Sequence, residues 1–252
     1  MRGGEGQSYA RTRTRIISWL VHALTASGAV LAVLALLAVE AGHPRAALLW
    51  LLLALAVDGI DGPLARRFAV SSRLPHIDGA TLDLVVDYLT FVFVPTLLLI
   101  DARLLSSALA IPLAAVIQFS ALYHYARIDL KTPDNYFQGF PALWNLVAFY
   151  LFVGRPGPIA GMIVVLTFSL LTVAPVCFVH PVRVRRYRPI SVGLSIVWGL
   201  ASAALLLSSG LDPIVWGGLL GCSLGAVGGL FLLGLLRTVR GPDTRHQDSV
   251  AA

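Results

Sequence analysis

The chain has 252 residues, of which 57% are apolar and 13% charged, against about 25% charged in an ordinary soluble domain. That composition excludes a water-soluble globular enzyme and places the chain in lipid. Its net charge of +6 has no interleaved basic and aromatic pattern behind it, so it reads as membrane orientation and contact with anionic membrane phospholipids, not as binding to nucleic acid.

A spanning helix needs about 20 mostly apolar residues. Such segments are predicted at 16–40, 46–65, 82–100, 105–126, 140–154, 158–179, 190–209 and 213–236, which makes an all-α polytopic membrane bundle of eight transmembrane helices. A basic cytoplasmic arm, residues 1–15, precedes the first span, whose apolar run is too long for a signal-peptide core, so the span is retained. The fifth is the weakest, being short and carrying Pro141 and Asn145. The membrane domain then covers 16–240, and the polar residues 241–252 are expected to form a disordered cytoplasmic tail. With the N-terminus inside, sixteen of the nineteen Lys and Arg residues fall in cytoplasmic segments, and only Arg45, Arg103 and Arg155 fall outside. Eight spans with both termini cytoplasmic satisfy that asymmetry. Cys177 and Cys222 stand alone in apolar segments and read as small core residues, not as ligands or a disulfide.

Five of the thirteen acidic residues lie between positions 58 and 87. Asp58, Asp61 and Ala65 stand at i, i+3 and i+7, one face of a helix, and Gly79, Asp83 and Asp87 repeat at four-residue steps along one stripe of the next. Two antiparallel helices can thus aim four carboxylates at one volume. An Asp at a helix centre in lipid costs about 2.5–3.5 kcal/mol, less near the interface, and Arg66 and Arg67 are too few to neutralise four. Hard oxygen donors without His or Cys point to Mg²⁺ or Mn²⁺, and a two-metal site that clamps the oxygens of a phosphoryl displacement is the natural inference. Gly62, Ala65 and Gly79 leave room for a nucleotide or pyrophosphate to approach the backbone, while Arg66 offers a planar fork to phosphate oxygens. A solvated loop with ordinary ion pairs would not place acids, glycines and Arg at two matching helical periods. A cation transporter or channel is the alternative outside enzymology, since intramembrane carboxylates also mark ion pathways. Such pathways want acids near mid-bilayer, however, whereas these cluster at one face.

The run from Asp58 through Asp61, Gly62, Ala65 and Arg66, followed by Gly79, Asp83 and Asp87, resembles the signature of the CDP-alcohol phosphatidyltransferases. Twelve residues separate Arg66 from Gly79, a longer spacer than most of that family has, and it resembles the bacterial phosphatidylcholine synthase branch, in which free choline is the acceptor. The stretches Tyr123–Ala126, Asp134–Asn145 and Phe178–Val184 are similar to segments of the same branch. The resemblance implies transfer of the phosphatidyl group from CDP-diacylglycerol to choline with release of CMP, at the cytoplasmic side of the inner membrane. It implies Asp58, Asp61 and Asp83 as metal ligands, Asp87 at the metals and as general base, Asp83 and Asp87 as the catalytic pair, and Gly62, Ala65, Arg66 and Gly79 as CDP-binding positions together with Asp58 and Asp61. Acceptors other than choline, namely serine, inositol phosphate or glycerol phosphate, remain open within the same chemistry, and a homodimer is compatible with it.

On the first span His22 and Thr25 could face this site, with Thr25 among the positions expected to bind CDP-diacylglycerol; alternatively the two form a packed, hydrogen-bonded polar pair. A quaternary ammonium is held by aromatic faces, and Tyr88, Tyr123, Tyr136, Phe137, Phe140 and Trp144 could supply a choline cage. The same residues could equally form an aromatic belt at the lipid headgroups. Arg183 to Arg188 reads as positive-inside charge before it reads as a lipid phosphate site.

Overall fold

The computed structural model describes residues 2–242, with side chains from Thr14 onward, so most of the expected tail lies outside the described residues. The chain divides into two compact units, one running through Ala102 and the other beginning at Arg103.

In the first unit α1 (Arg2–Glu40) is helical from within the expected arm, without a break before the span. A turn at Ala41–His43, with Gly42 at φ +69°, leads into α2 (Pro44–Arg67), whose Pro44 occupies a first-turn position that needs no N–H bond. A short α3 (Val70–Arg73) precedes α4 (Gly79–Asp87). The helix then widens into a π turn at Tyr88–Phe93 and resumes as α5 (Val94–Asp101), so that Gly79–Asp101 forms one apolar rod of 23 residues. Pro95 accounts for the widening: it offers no N–H to the carbonyl of Phe91, four residues back, and its ring crowds that carbonyl. Ala32, Ala35, Leu51 and Val94 form a core where α1, α2 and α5 meet. Gly28 of α1 lets the rod come close, since a Cβ there would stand 2.5 Å from Val86 Cγ1.

The second unit contains α6 (Ala110–Ala126), α7 (Trp144–Gly154), α8 (Pro158–Val173), α9 (Arg188–Leu207) and α10 (Pro213–Arg240). α6 packs on α8 and α9 on α10. Between them β1 (Phe137–Gln138) pairs antiparallel with β2 (Cys177–Phe178), Phe137 opposite Phe178. A polar chain links α7, α9 and α10: the Tyr150 hydroxyl meets Ser223 Oγ at 2.8 Å and accepts from Trp198 Nε1 at 3.0 Å. The last turns of α10 are fastened to the segments carrying these strands. Arg237 donates to both oxygens of Asp134, at 2.5 and 3.1 Å, and Thr238 Oγ1 accepts the Cys177 amide at 2.8 Å. Burial pushes the Asp134 carboxyl up, but hydrogen bonds from Arg237 and Thr132 outweigh it and hold the group below its ordinary value.

Among the described residues, six helical stretches are long and apolar enough to cross a membrane: Thr14–Glu40, Pro44–Arg67, Gly79–Asp101, Ser107–Ala126, Arg185–Leu207 and Pro213–Arg240. α7 and α8, with 11 and 16 residues, reach only about 17 and 24 Å at a rise of about 1.5 Å per residue, against a hydrocarbon core of about 30 Å. The expected fifth span therefore begins late, at Trp144, because Phe140 gives its N–H to the Leu171 carbonyl and Ala142 turns left-handed at φ +54°. The sixth ends early, at Val173, where the chain leaves for β2. Exposed Leu20, Val30 and Leu37 on α1, and Ile214, Leu232 and Val239 on α10, give these helices the apolar outer face that lipid requires. Cys177 is buried as expected, whereas Cys222 lies on the exposed side of α10.

Gly139 combines φ +85° with a backbone approach by the Thr172 carbonyl that leaves no space for a Cβ. Gly139→Ala is expected to destabilise the protein by about 1–3 kcal/mol, read as a lower thermal midpoint in detergent. Gly193→Ala, with nothing within 4 Å of its would-be Cβ, should leave the midpoint unchanged or slightly raised; equal losses in the two variants would contradict this packing.

Candidate metal and nucleotide site

Three helices of the first unit carry the acidic site. The last turns of α2 bring Asp58, Asp61, Gly62, Ala65 and Arg66, the start of the rod brings Gly79, Asp83 and Asp87, and α1 packs against both. The helical spacings read from the sequence hold, and carboxylate oxygens of Asp58, Asp83 and Asp87 all lie within 4.8 Å of one another, each residue half-buried.

Asp61 departs from the expected set of four. It is only 4% exposed and is turned toward α1, where it meets the Thr25 hydroxyl, with the Gly62 amide and Arg66 also against it. The arrangement is three converging carboxylates plus one that ties α2 to α1. Thr25 therefore does reach the site, by way of Asp61, while its hydroxyl also lies 3.4 Å from the Val21 carbonyl. His22 is not its partner, so the expected polar pair does not form; the imidazole is buried against Gly79 instead.

The fifth acid of the region, Asp78, has a purely local role that the sequence reading passed over. Its Oδ1 accepts from the amides of Ala80 and Thr81 at 3.0 and 3.2 Å, and its Oδ2 from the Thr81 hydroxyl at 2.7 Å, which caps the rod. The Thr81 hydroxyl, followed by the two amides, holds the Asp78 carboxyl below its ordinary value. The signal was present in Asp78-Gly-Ala-Thr ahead of an apolar run, a helix start by composition.

Like charges at 4.8 Å repel by about 3 kcal/mol per pair at an effective dielectric constant of about 20. The cost falls on three pairs at once, so the cluster suits a hard divalent cation whose ligands are all carboxylate oxygens. Small residues surround it. Arg66 Nη1 lies 3.3 Å from where a Cβ on Gly62 would stand, so the guanidinium folds back over Gly62, and a Cβ on Gly79 would stand 3.0 Å from His22 Cε1.

The six aromatic residues expected as a choline cage are divided between the two units. Tyr88 belongs to the first unit, as the first residue of the π turn after Asp87. Within the second unit the other rings are already engaged. Arg127 lies 5.8 Å over Tyr123, Arg237 lies 5.7 Å over Tyr136, and Lys131 Nζ lies 5.0 Å over Phe137, which also stacks on His180 at 5.2 Å. Phe140 packs among Trp144, Phe168 and Phe178, and Trp144 is fully buried. Burial, with the resident charges as lesser influences, pushes the Tyr136 phenol up to about 12. A resident cation thus lies over one face of Tyr123, Tyr136 and Phe137, while Phe140 and Trp144 are buried among other rings.

The sequence model of the CDP-alcohol phosphatidyltransferase family matches residues 19–179. A phosphatidylcholine synthase of Pseudomonas aeruginosa is 44% identical over 201 residues, 79% of this chain and 84% of its own length. One of Mesorhizobium japonicum is 42% identical, with 77% and 74% covered, and one of Legionella pneumophila is 34% identical, with 88% of each chain covered.

Asp83→Asn is expected to weaken Mn²⁺ binding in calorimetry by tenfold or more, on the order of the 1.4 kcal/mol that such a factor represents. The same change should raise the thermal midpoint of the metal-free protein, since it removes two of the three repulsions. Asp78→Ala should do the opposite, costing about 1 kcal/mol of stability through the lost cap while Mn²⁺ binding persists. Unaltered Mn²⁺ affinity in Asp83→Asn would refute the cluster as a metal site.

Proposed function

This chain belongs to the CDP-alcohol phosphatidyltransferase family, and we propose on that premise that it makes phosphatidylcholine, moving the phosphatidyl group of CDP-diacylglycerol onto choline and releasing CMP. The observation that carries the reading is the convergence of Asp58, Asp83 and Asp87 beside two glycines and an arginine, in a chain built of membrane-spanning helices. The names of the relatives support choline as the acceptor.

Asp58, Asp83 and Asp87 would hold the divalent cations, Mn²⁺ or Mg²⁺ and two in number, with Asp61 available from the next turn of α2. Cations bound there offset the negative charge of the diphosphate and of departing CMP. Gly62, Ala65 and Gly79 leave the backbone open to the nucleotide, and Arg66 directs its fork at phosphate oxygens. Thr25 acts through Asp61, fixing α1 against α2 so that the nucleotide positions on both stay in register. In the transfer, the acceptor hydroxyl oxygen forms a bond to the phosphatidyl phosphorus. The bond from that phosphorus to the bridging oxygen breaks, and its electron pair leaves with CMP. Asp87 takes the hydroxyl proton, a carboxylate at the site acting as general base. Arg66, Arg67 and Arg73 lie beside these residues in sequence, and positive charge of this kind supports a site at the cytoplasmic face of the inner membrane.

Purified protein in detergent, given Mn²⁺ and CDP-diacylglycerol, is expected to release CMP in a choline-dependent way, with chelation abolishing release. Serine, inositol phosphate and glycerol phosphate should not replace choline; equal CMP release without choline would remove the acceptor assignment. Asp87→Asn should lower the rate by about a hundredfold or more without lowering the thermal midpoint. Wild-type turnover in that variant would exclude Asp87 as the base.

A further inference from the structure

His22 sits on α1 with 8% of its surface exposed, and its Nε2 is buried with no hydrogen-bond partner among the described residues. A buried polar nitrogen left unpaired costs about 1–3 kcal/mol, and such a cost persists where a ligand supplies the missing partner. The neighbour it faces bears on which ligand that is. The imidazole edge lies against Gly79, where a Cβ would stand 3.0 Å from Cε1 and 3.6 Å from Nδ1. A half-turn of the ring about its Cβ–Cγ bond exchanges Cε1 with Nε2 and brings that nitrogen to the Gly79 side.

Position along the rod selects the part of the substrate. At about 1.5 Å per residue, Gly79 lies about 6 Å from Asp83 and about 12 Å from Asp87. His22 therefore stands at the end of the site farthest from the general base, beyond the carboxylates that would hold the diphosphate. With the reacting phosphorus near Asp87, that end faces the nucleoside. We propose that His22 is a further substrate-binding residue, whose imidazole N–H donates a hydrogen bond to an acceptor atom on the edge of the cytosine base. The inference rests on the CDP-alcohol reading of the site. It assigns His22 a share in nucleotide recognition and gives Gly79 a second reason to lack a side chain, because any Cβ there would push the imidazole out of place.

The test measures binding of CMP and of inorganic pyrophosphate to the Mn²⁺-loaded protein in detergent by calorimetry, for wild type, His22→Phe, His22→Gln and His22→Asn. His22→Phe keeps the volume without the donor and should weaken CMP binding about tenfold, the loss of one good hydrogen bond, with pyrophosphate affinity and the KM for choline unchanged. His22→Gln, whose amide nitrogen reaches about as far as Nε2, should recover most of the CMP affinity, and the shorter His22→Asn should not. The thermal midpoint of ligand-free His22→Phe should be no lower than that of wild type, because an unpaired polar atom has been removed. CMP affinity unchanged in His22→Phe would overturn the proposal, and so would an equal loss for pyrophosphate, which would mark a phosphate contact or a general structural role. Wild-type protein that binds no CMP at all would instead bring down the nucleotide reading of the whole site.

Discussion

Mutual repulsion among Asp58, Asp83 and Asp87 is the constraint around which the first unit is arranged. Three carboxylates within 4.8 Å of one another push their helices apart unless packing elsewhere holds them together. The holding elements can be named. Gly28 allows α1 to approach Val86 on the rod, and the Ala32, Ala35, Leu51 and Val94 core draws α1, α2 and α5 together farther along. Asp61 reaches across to Thr25, and Asp78 caps the start of the rod. Small residues and short polar links do this work because association in lipid depends on close packing and hydrogen bonds, not on expulsion of water. A bound cation would relieve that repulsion, which is what makes the cluster a candidate metal site and not part of the scaffold.

The π turn directly after Asp87 separates two demands on one helix. Up to Asp87 the rod must present carboxylates at four-residue steps; beyond Phe93 it must bury Val94, Leu98 and Leu99. One widened turn rotates the later face relative to the earlier one without ending the helix, and π turns occur often at functional sites for this reason. Pro95 supplies the local cause, so a single residue in the chain sets where the site ends and ordinary packing begins.

Much of the site was legible before any coordinates. Asp58, Asp83 and Asp87 follow helical periods, and period fixes face. Asp61 shares that face by period, yet its partner, Thr25, lies on another helix, and no spacing within α2 encodes a contact made across helices. The surroundings of the aromatic residues were hidden for a related reason: composition lists Tyr136 and Phe137 but does not show that Arg237, distant in sequence, and Lys131 lie over their rings. Fewer long helices form than the eight spans read from hydrophobicity where hydrophobicity and backbone part company. Residues 140–154 are apolar enough to suggest a crossing, but the Phe140 amide goes to Leu171 and Ala142 is left-handed, so the helix starts too late to reach across. His22 was visible as an ionisable residue in an apolar span, whereas its unpaired nitrogen and its contact with Gly79 belong to the fold alone.

The clasp between α10 and the strand segments involves residues far apart in the chain. Arg237 and Thr238 lie beyond the stretch matched by the family model, which stops at 179, yet they fasten Asp134 and Cys177 inside it. During synthesis, the loop carrying Asp134 is made about a hundred residues before its anchor. Until α10 has been made and inserted, that loop has no guanidinium to hold its carboxylate and β2 has no hydroxyl for its amide. These segments of the second unit therefore gain their fastening only after α10 has been made.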